Sequence, residues 1–271
     1  MSIYSYDTGD LSYEVMNLSA RPTLLCLHGW GTSRYIWKDA DHYLQDWRII
    51  KIDLPGMGRS SYQESIGAGG YIAKTTEIID GFLSHLKIKE ISLLGHSIGG
   101  IVAAKLQSVS SVPINHLILD STPLLGGKGL SLKVRLFGMN RMIRTPLYMA
   151  LKSPKVTRKL IHNTFENIDS VSQDTIEQLI SDFGAVDQQV LYQSWKDSVA
   201  TIAADELRQC HSNVLYITGE NNLTLDWKTM VKALMSRVST AKAVTIPKVR
   251  HYPQLERPSE YYGEIKVFLE S

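Results

Sequence analysis

A serine between two glycines is the strongest chemical signal in the sequence. The motif Gly95-His96-Ser97-Ile98-Gly99 directly follows the apolar run ISLL and directly precedes a helical pattern. A sharp turn from strand to helix exposes a serine hydroxyl, and it requires small residues where neighbouring elements approach closely. At the start of a helix, free N–H groups also favour developing negative charge. The motif therefore predicts that Ser97 is a nucleophile for acyl transfer.

An imidazole near the end of the chain is the leading candidate for the base that this serine needs. His251 lies in RHYPQLERP, after the last apolar run and before a closing helical pattern. Imidazole can take a proton from a hydroxyl and return it to a leaving group near neutral pH. His96 adjoins the nucleophile, but we expect its side chain to point away along the turn.

The loop His28-Gly29-Trp30-Gly31 ends the first apolar run and offers donors for an oxyanion. A tetrahedral intermediate needs two preorganised donors, and we expect them to be the backbone N–H groups of Trp30 and Ile98. The side chains of Trp30 and His28 are also candidates for substrate binding. For His28, a hydrogen bond within its own loop is the favoured alternative.

Buried strands must position these residues. Short apolar runs of strand length recur along the chain and are TLLCLHG, RIIKIDLPG, ISLLGHS, HLILDST, NVLYITGE and AKAVTIP. Such runs are typical of strands buried on both faces. They alternate with helical patterns at Tyr71–Leu86 and Gly99–Val109, which predicts an α/β fold with a mostly parallel sheet covered by helices on both faces.

One stretch, residues 122–205, interrupts this alternation with helical patterns and no convincing strand. We predict a helical lid there, inserted into a core formed by residues 1–121 and 206–271. Phe137 and Met142 lie on its apolar side and are predicted to bind substrate. Between Ser121 and Phe165 the chain has no acidic residue but nine basic ones: Lys128, Lys133, Arg135, Arg141, Arg144, Lys152, Lys155, Arg158 and Lys159. This face either meets an acidic acyl carrier protein, a coenzyme A thioester or an anionic membrane, or is simply solvated.

Together, HGWG, DLPGMGRSS, GHSIGG and RHYPQLERP resemble the α/β-hydrolase superfamily. The likeness extends over the whole chain outside the predicted lid and, within the superfamily, is similar to carboxylesterases related to the pimeloyl-carrier-protein methyl esterases. It implies the α/β-hydrolase fold, with a mostly parallel sheet and an inserted helical lid. It also implies the chain order serine, acid, histidine, which His251 completes.

The acid position departs from the superfamily pattern. The resemblance places the acid three residues after Gly219, where this chain has Asn222. An amide can orient the imidazole but cannot stabilise imidazolium by charge, and it can hold the wrong tautomer. Asn222 is either a substitution introduced to slow turnover or the natural residue of an enzyme with weak or altered activity.

Other carboxylates near these strands are alternatives to Asn222. Asp120 ends the run HLILD, a place from which some members of the superfamily supply the acid. Asp226 and Glu220 lie in the same loop as Asn222. We expect Asn222 first and Asp120 second. Arg250, next to His251, either contacts a substrate carboxylate or is exposed.

Composition excludes several classes of function. The chain has 271 residues and a formal net charge of +2, so it gives no reason to expect a nucleic-acid partner. No apolar run approaches the roughly 18 residues of a transmembrane segment. Cys26 and Cys210 lack metal-site spacing and are expected to be reduced thiols. We expect a cytoplasmic protein, monomeric or homodimeric.

The predicted reaction is hydrolysis of a carboxylic ester or thioester. Ser97 attacks the carbonyl, His251 takes its proton, and water later releases the acyl-enzyme, with no metal or organic cofactor. Asn222 keeps two alternatives open: a lyase or cyclase on the same scaffold, and a weakly active binding protein.

Overall fold

The computed structural model describes residues 1–63, 70–130 and 150–271. These residues form eight strands and nine α-helices. The strands are β1 (Ser2–Tyr6), β2 (Gly9–Met16), β3 (Thr23–Leu27), β4 (Arg48–Ile52), β5 (Ile91–His96), β6 (Ile114–Asp120), β7 (Asn213–Gly219) and β8 (Lys242–Ile246). The helices are α1 (Ala40–Tyr43), α2 (Gly70–His85), α3 (Ile98–Val109), α4 (Pro154–His162), α5 (Gln173–Ala185), α6 (Gln188–Ala200), α7 (Trp227–Met235), α8 (Pro253–Glu256) and α9 (Pro258–Leu269).

The strands form one sheet in the order β1-β2-β4-β3-β5-β6-β7-β8. From β4 to β8 all neighbours are parallel, and the hairpin of β1 and β2 adds an antiparallel edge. Every residue of β3 and β5 is buried, as the continuous apolar runs predicted. The predicted α/β architecture with a mostly parallel sheet is therefore confirmed. The hairpin was not predicted because its strands mix polar and apolar residues and β1 is largely exposed.

Helices α2 and α3 connect strands of the sheet. Both helices pack against the same face of the sheet. In α2, Ile72, Ile79 and Phe82 recur at helical spacing and are at most 2% exposed. Both helices agree with the predicted ranges to within one residue. Helix α3 begins at Ile98, directly after Ser97, so the strand-to-helix turn that positions the serine has no additional residues.

Between β6 and β7, the described residues form α4, α5, α6 and short 3₁₀ turns, as the absence of strand patterns predicted. In that part, the only strand-type pairing is an isolated bridge between Leu130 and Leu225. Phe137 and Met142, predicted to bind substrate, lie outside the described residues. Across the described ranges, no helix is both long and apolar enough to span a membrane.

Candidate active site

Ser97 occupies a strained turn between β5 and α3. Its φ of 52° and ψ of −115° lie in a region that residues with side chains rarely adopt. The flanking glycines permit the turn: a Cβ atom on Gly95 would lie 2.5 Å from the carbonyl oxygen of Gly99, and one on Gly99 would collide with the carbonyl oxygens of Leu27 and His28. The surrounding backbone therefore fixes Ser97 at the mouth of a cavity, as a nucleophile requires.

Two backbone amides next to Ser97 are suited to holding an oxyanion. The N–H of Ile98 is the first of α3 and has no acceptor within the helix. Trp30 lies in the loop after β3, and a Cβ atom on Gly29 in the same loop would be 3.4 Å from Cβ of Ser97. Neither amide donates a backbone hydrogen bond within the described residues. Both N–H groups thus remain available to donate to the oxygen of a new hydrogen-bond partner.

His251 lines the same cavity as Ser97. Its backbone is held on two sides, because its N–H donates to the carbonyl of Thr164 (2.9 Å) and its carbonyl accepts from Oγ of Ser121 (3.3 Å). Burial, and secondarily the neighbouring imidazole of His96, lowers the pKa of His251 well below its ordinary value. Within the described part of the chain, Ser97 Oγ and the His251 ring form no hydrogen bond, a contact that often tightens only when substrate binds.

Asn222 is the residue that contacts the His251 ring. Its Nδ2 lies 3.3 Å from Nδ1 of His251 and donates to Oγ1 of Thr218 at 3.1 Å. Its Oδ1 accepts from the backbone N–H of Thr224 at 3.0 Å. Because a backbone N–H can only donate, the contact with Thr224 identifies Oδ1 and turns the NH₂ group towards His251.

This orientation sets the tautomer of His251. When Asn222 donates to Nδ1, that nitrogen is the acceptor and Nε2 of the neutral ring carries the proton. A general base for Ser97 needs the opposite arrangement, with Nε2 free to accept. In trypsin, replacing the triad aspartate by asparagine produces the wrong tautomer and lowers kcat about ten-thousand-fold. The hydrogen bonds of Asn222 therefore place the proton of the neutral His251 ring on Nε2.

The three alternative acids do not contact His251. Asp120 Oδ2 instead accepts from Nδ1 of His96 at 2.9 Å and from the hydroxyl of Tyr261 at 3.1 Å. Asp226 caps α7 by accepting from the N–H and hydroxyl of Thr229. Glu220 is exposed. Within the described residues, none of these carboxylates hydrogen-bonds the His251 ring.

His28 requires a correction as a substrate-binding residue. It is 0% exposed and does not line the cavity. Its Nδ1 bonds the carbonyl of Gly29 (2.8 Å) and its Nε2 accepts from the N–H of Leu54 (2.8 Å), so both nitrogens are used within the scaffold. Burial, as the main cause, lowers its pKa to about 4. His28 is a structural residue that joins two loops at the carboxyl edge of the sheet.

His96 also lies elsewhere than expected. Its ring does not point away from the site but lines the cavity, with its centroid 4.8 Å from that of His251. The absence of a side chain at Gly29 makes this possible, because a Cβ atom there would lie 2.7 Å from Cδ2 of His96.

The cavity has a volume of about 470 Å³ and its described lining is mainly apolar. Trp30 joins the core to the helices between β6 and β7: its Nε1 donates to the carbonyl of Leu191 (2.9 Å) in α6. Its ring contacts Phe183 of α5 and Trp195 of α6, each at a centroid distance of 5.0 Å. This aromatic group forms one wall of the cavity, and the role of Trp30 in substrate binding stays a prediction.

A second connection fastens the segment after α4 to the His251 loop. Glu256 Oε2 accepts from the N–H groups of Glu166 (2.8 Å) and Asn167 (3.0 Å), while its Oε1 accepts from that of Arg250 (3.1 Å). Arg250 Nε forms an ion pair with Glu166 at 2.8 Å. Arg250 is therefore a partly exposed bridge, and the sequence offered no local signal for its partners.

No metal site is evident in the described ranges, where no group of three or more His, Cys, Asp or Glu side chains is suitably arranged. Cys26 and Cys210 are both free. Burial raises the pKa of Cys26 to about 12, so this thiol is not a candidate nucleophile.

Comparison with known proteins identifies the class to which this fold and site belong. Residues 22–258 match the family described as the alpha/beta hydrolase fold. The match covers most of the chain, and the chain therefore belongs to the α/β-hydrolase fold family.

Curated relatives include one similar protein over its full length. The chain is 24% identical over 267 residues to a pimeloyl-[acyl-carrier protein] methyl ester esterase from Aeromonas salmonicida, covering 96% of this chain and 100% of the relative. A probable 1-acylglycerol-3-phosphate O-acyltransferase from Oryza sativa is 37% identical over 107 residues, which are 36% of this chain and 24% of that protein. A serine hydrolase-like protein from Danio rerio is 30% identical over 118 residues, 42% of this chain and 35% of the relative. These two matches span about a quarter and a third of the relatives' length.

Solved structures show the same fold over the whole chain. An esterase from Thermogutta terrifontis has a TM-score of 0.82 and 20% identity and covers 100% of this chain and 98% of its own. A bromoperoxidase from Bacillus anthracis has a TM-score of 0.81 and 17% identity, covering 97% and 96%. At such identities the likeness defines the fold, and proteins with different reactions share it.

Proposed function

We propose that this protein hydrolyses a carboxylic ester or thioester through an acyl-enzyme on Ser97. The observation that carries the proposal is the strained turn at Ser97, which opens into the cavity that His251 also lines. Two free backbone N–H groups, those of Trp30 and Ile98, flank the serine. Nucleophile, imidazole and oxyanion donors together are the requirements of acyl transfer.

The reaction has two half-steps. Ser97 Oγ forms a bond to the carbonyl carbon as its proton passes to Nε2 of His251, and the oxyanion is held by the amides of Trp30 and Ile98. His251 then gives the proton to the departing alcohol or thiol, and the acyl-enzyme forms. Water, deprotonated by the same imidazole, attacks the acyl-enzyme and releases the acid and Ser97.

The contact of Asn222 with His251 makes the first half-step slow. Before Nε2 can accept a proton, the proton it carries must move to Nδ1, and the NH₂ group of Asn222 then faces an N–H donor. The Asn222 side chain has to rotate, which breaks its contacts with Thr218 and Thr224.

The substrate's acyl part is apolar, because rings of Trp30, Phe183 and Trp195 form the cavity wall. On α4, next to the cavity, Lys155 and Lys159 are exposed. An anionic carrier, either an acyl carrier protein or coenzyme A, fits this basic surface, and the name of the Aeromonas relative agrees with a carrier-bound ester. We propose that α4, α5 and α6, which lie within the predicted lid of residues 122–205, cover this cavity.

Asn222 favours a second candidate function, in which the scaffold binds a ligand or performs a lyase or cyclase reaction with little acyl transfer. The same cavity and oxyanion donors would serve it. Covalent labelling separates the two candidates, because only the hydrolase requires a nucleophilic Ser97.

The experiment is labelling with a fluorophosphonate, followed by mass spectrometry of the modified peptide. We expect a single adduct on Ser97, no adduct in Ser97→Ala, and unchanged labelling in Ser84→Ala, a control at an exposed serine of α2. Ser97→Ala should also lower turnover of an aryl ester by several orders of magnitude. Failure of Ser97 to react, in a folded protein, would support the binding or lyase alternative.

A further inference from the structure

A buried acid and imidazole lie next to the catalytic pair without a role in the reaction described above. His96 and Asp120 are both 0% exposed, and Nδ1 of His96 donates to Oδ2 of Asp120 at 2.9 Å. A carboxylate accepts and does not donate, so Nδ1 of His96 carries a proton. With one proton on the ring, this pair holds one net negative charge inside the protein.

Two polar atoms of this buried pair lack a hydrogen-bond partner in the described part of the chain. Oδ1 of Asp120 and Nε2 of His96 are buried and have no hydrogen-bond partner within the described residues. Burying a charge is costly unless it is paired and fully hydrogen-bonded, and most buried polar groups in native proteins have a partner. The third member, Tyr261 of α9, donates only to Oδ2.

The pair adjoins the base. The rings of His96 and His251 have a centroid separation of 4.8 Å, and Tyr252 contacts both, at 4.9 Å and 5.2 Å. After burial, the charge of Asp120 contributes to the raised pKa of Tyr252, the residue that follows His251. The charge of Asp120 thus acts on the hydroxyl of Tyr252, whose ring contacts that of His251.

We propose that Asp120, acting through His96, is a positioning residue that supplies the negative charge missing from the His251–Asn222 pair. During proton transfer from Ser97, His251 becomes imidazolium, and neutral Asn222 cannot balance it. Asp120 is a fully buried carboxylate that contacts the His96 ring, and the His96 ring in turn lies beside that of His251. This inference rests on the proposed function and extends it to a residue outside the triad.

The charge acts across a ring and not through a direct hydrogen bond, so its effect is moderate. Two charges separated by one imidazole in a protein interior correspond to about tenfold in rate. The effect should depend on residue 222, because an aspartate there would balance imidazolium by direct contact and reduce the need for a remote charge.

The test is a double-mutant cycle of Asp120→Asn and Asn222→Asp, read as the fluorophosphonate labelling rate of Ser97 and as kcat for an aryl ester. With asparagine at 222, Asp120→Asn should lower both rates about tenfold. In the Asn222→Asp protein the same change should lower them less than about threefold. Tyr261→Phe, which removes a bond to Asp120 but not its charge, should have a small effect that is equal in both backgrounds.

Equal losses in both backgrounds would overturn the inference, because a structural role does not depend on the charge at 222, and so would the absence of any loss. Asp120→Ser, which also removes the charge and leaves room for a water molecule, replaces Asp120→Asn if that variant fails to fold. Lack of labelling in every folded protein, including Asn222→Asp, would contradict the proposed function itself, a result distinct from equal losses in proteins that do label.

Discussion

Two histidine pairs flank Ser97, and they differ in the direction of one hydrogen bond. In the His251–Asn222 pair, the partner donates to Nδ1. In the His96–Asp120 pair, the partner accepts from Nδ1. The first ring therefore carries its proton on Nε2, and the second leaves its Nε2 free. The imidazole in the position of the base has the unsuitable tautomer, while the ring beside it has the suitable one.

In a catalytic pair, the direction of the hydrogen bond to the imidazole therefore matters more than the presence of a contact. Asn222 lies where an acid is needed and touches the imidazole, yet Thr224 fixes its amide the wrong way round. Asp120 has the negative charge, but it contacts His96 and not His251. Each pair contributes one of the two properties that a single His–Asp pair combines: contact with the base, and negative charge.

Asn222→Asp should remove the difference between the two pairs, and we expect it to have the largest effect on kcat. A carboxylate can accept from Thr224, Thr218 and Nδ1 of His251 together, so the proton moves to Nδ1 and Nε2 becomes a base. We expect kcat for an aryl ester to rise on the order of a hundredfold to ten-thousandfold.

Steady-state hydrolysis of p-nitrophenyl esters provides this measurement. Asn221→Asp, which adds the same charge at the exposed neighbouring residue, is the matched control and should change kcat less than about threefold. Unchanged activity in Asn222→Asp would mean that the amide does not limit turnover.

His28 is a third buried histidine, and it differs from His96 and His251 in its hydrogen bonds. Both of its ring nitrogens are bonded within the scaffold. Its pKa is about 4 in the folded protein against an ordinary 6.5. As the pH falls below 6.5, His28 becomes protonated in the unfolded chain but stays neutral in the folded protein. The free energy of unfolding therefore decreases between pH 6.5 and about pH 4. The loss from this residue should be roughly 3 kcal/mol.

Urea unfolding between pH 7 and pH 4.5 tests this expectation, with His28→Gln as the comparison. The free energy of unfolding should fall less steeply with pH in the variant. Parallel pH profiles for the two proteins would show that His28 titrates normally in the folded state.

Much of this site could be predicted from sequence, because its signals are local. Short motifs in the sequence identify the turn at Ser97, the loop at Trp30 and the position of Asn222. Each motif lies next to a strand or loop that can itself be predicted. The direction of the Asn222 amide was not predictable, since it depends on Thr224 and Thr218. The same limit applies to the ring of His96, whose position depends on the empty space beside Gly29.

The fold was likewise predictable in some parts and not in others. Buried parallel strands produce continuous apolar runs and were predicted, whereas the exposed edge hairpin Ser2–Met16 has no such run and was missed. The bridge of Glu256, Glu166 and Arg250 joins residues far apart in sequence, and only the tertiary structure brings them together.

The most direct test of the central claim is the tautomer of His251, observed by ¹⁵N NMR on protein with labelled histidine. At pH 7.5, we predict a ring protonated on Nε2, with Nδ1 as the acceptor, and a change to the Nδ1–H tautomer in Asn222→Asp. An Nδ1–H tautomer in the unaltered protein would contradict the account, because the amide oxygen would then face the imidazole and Asn222 would support the base.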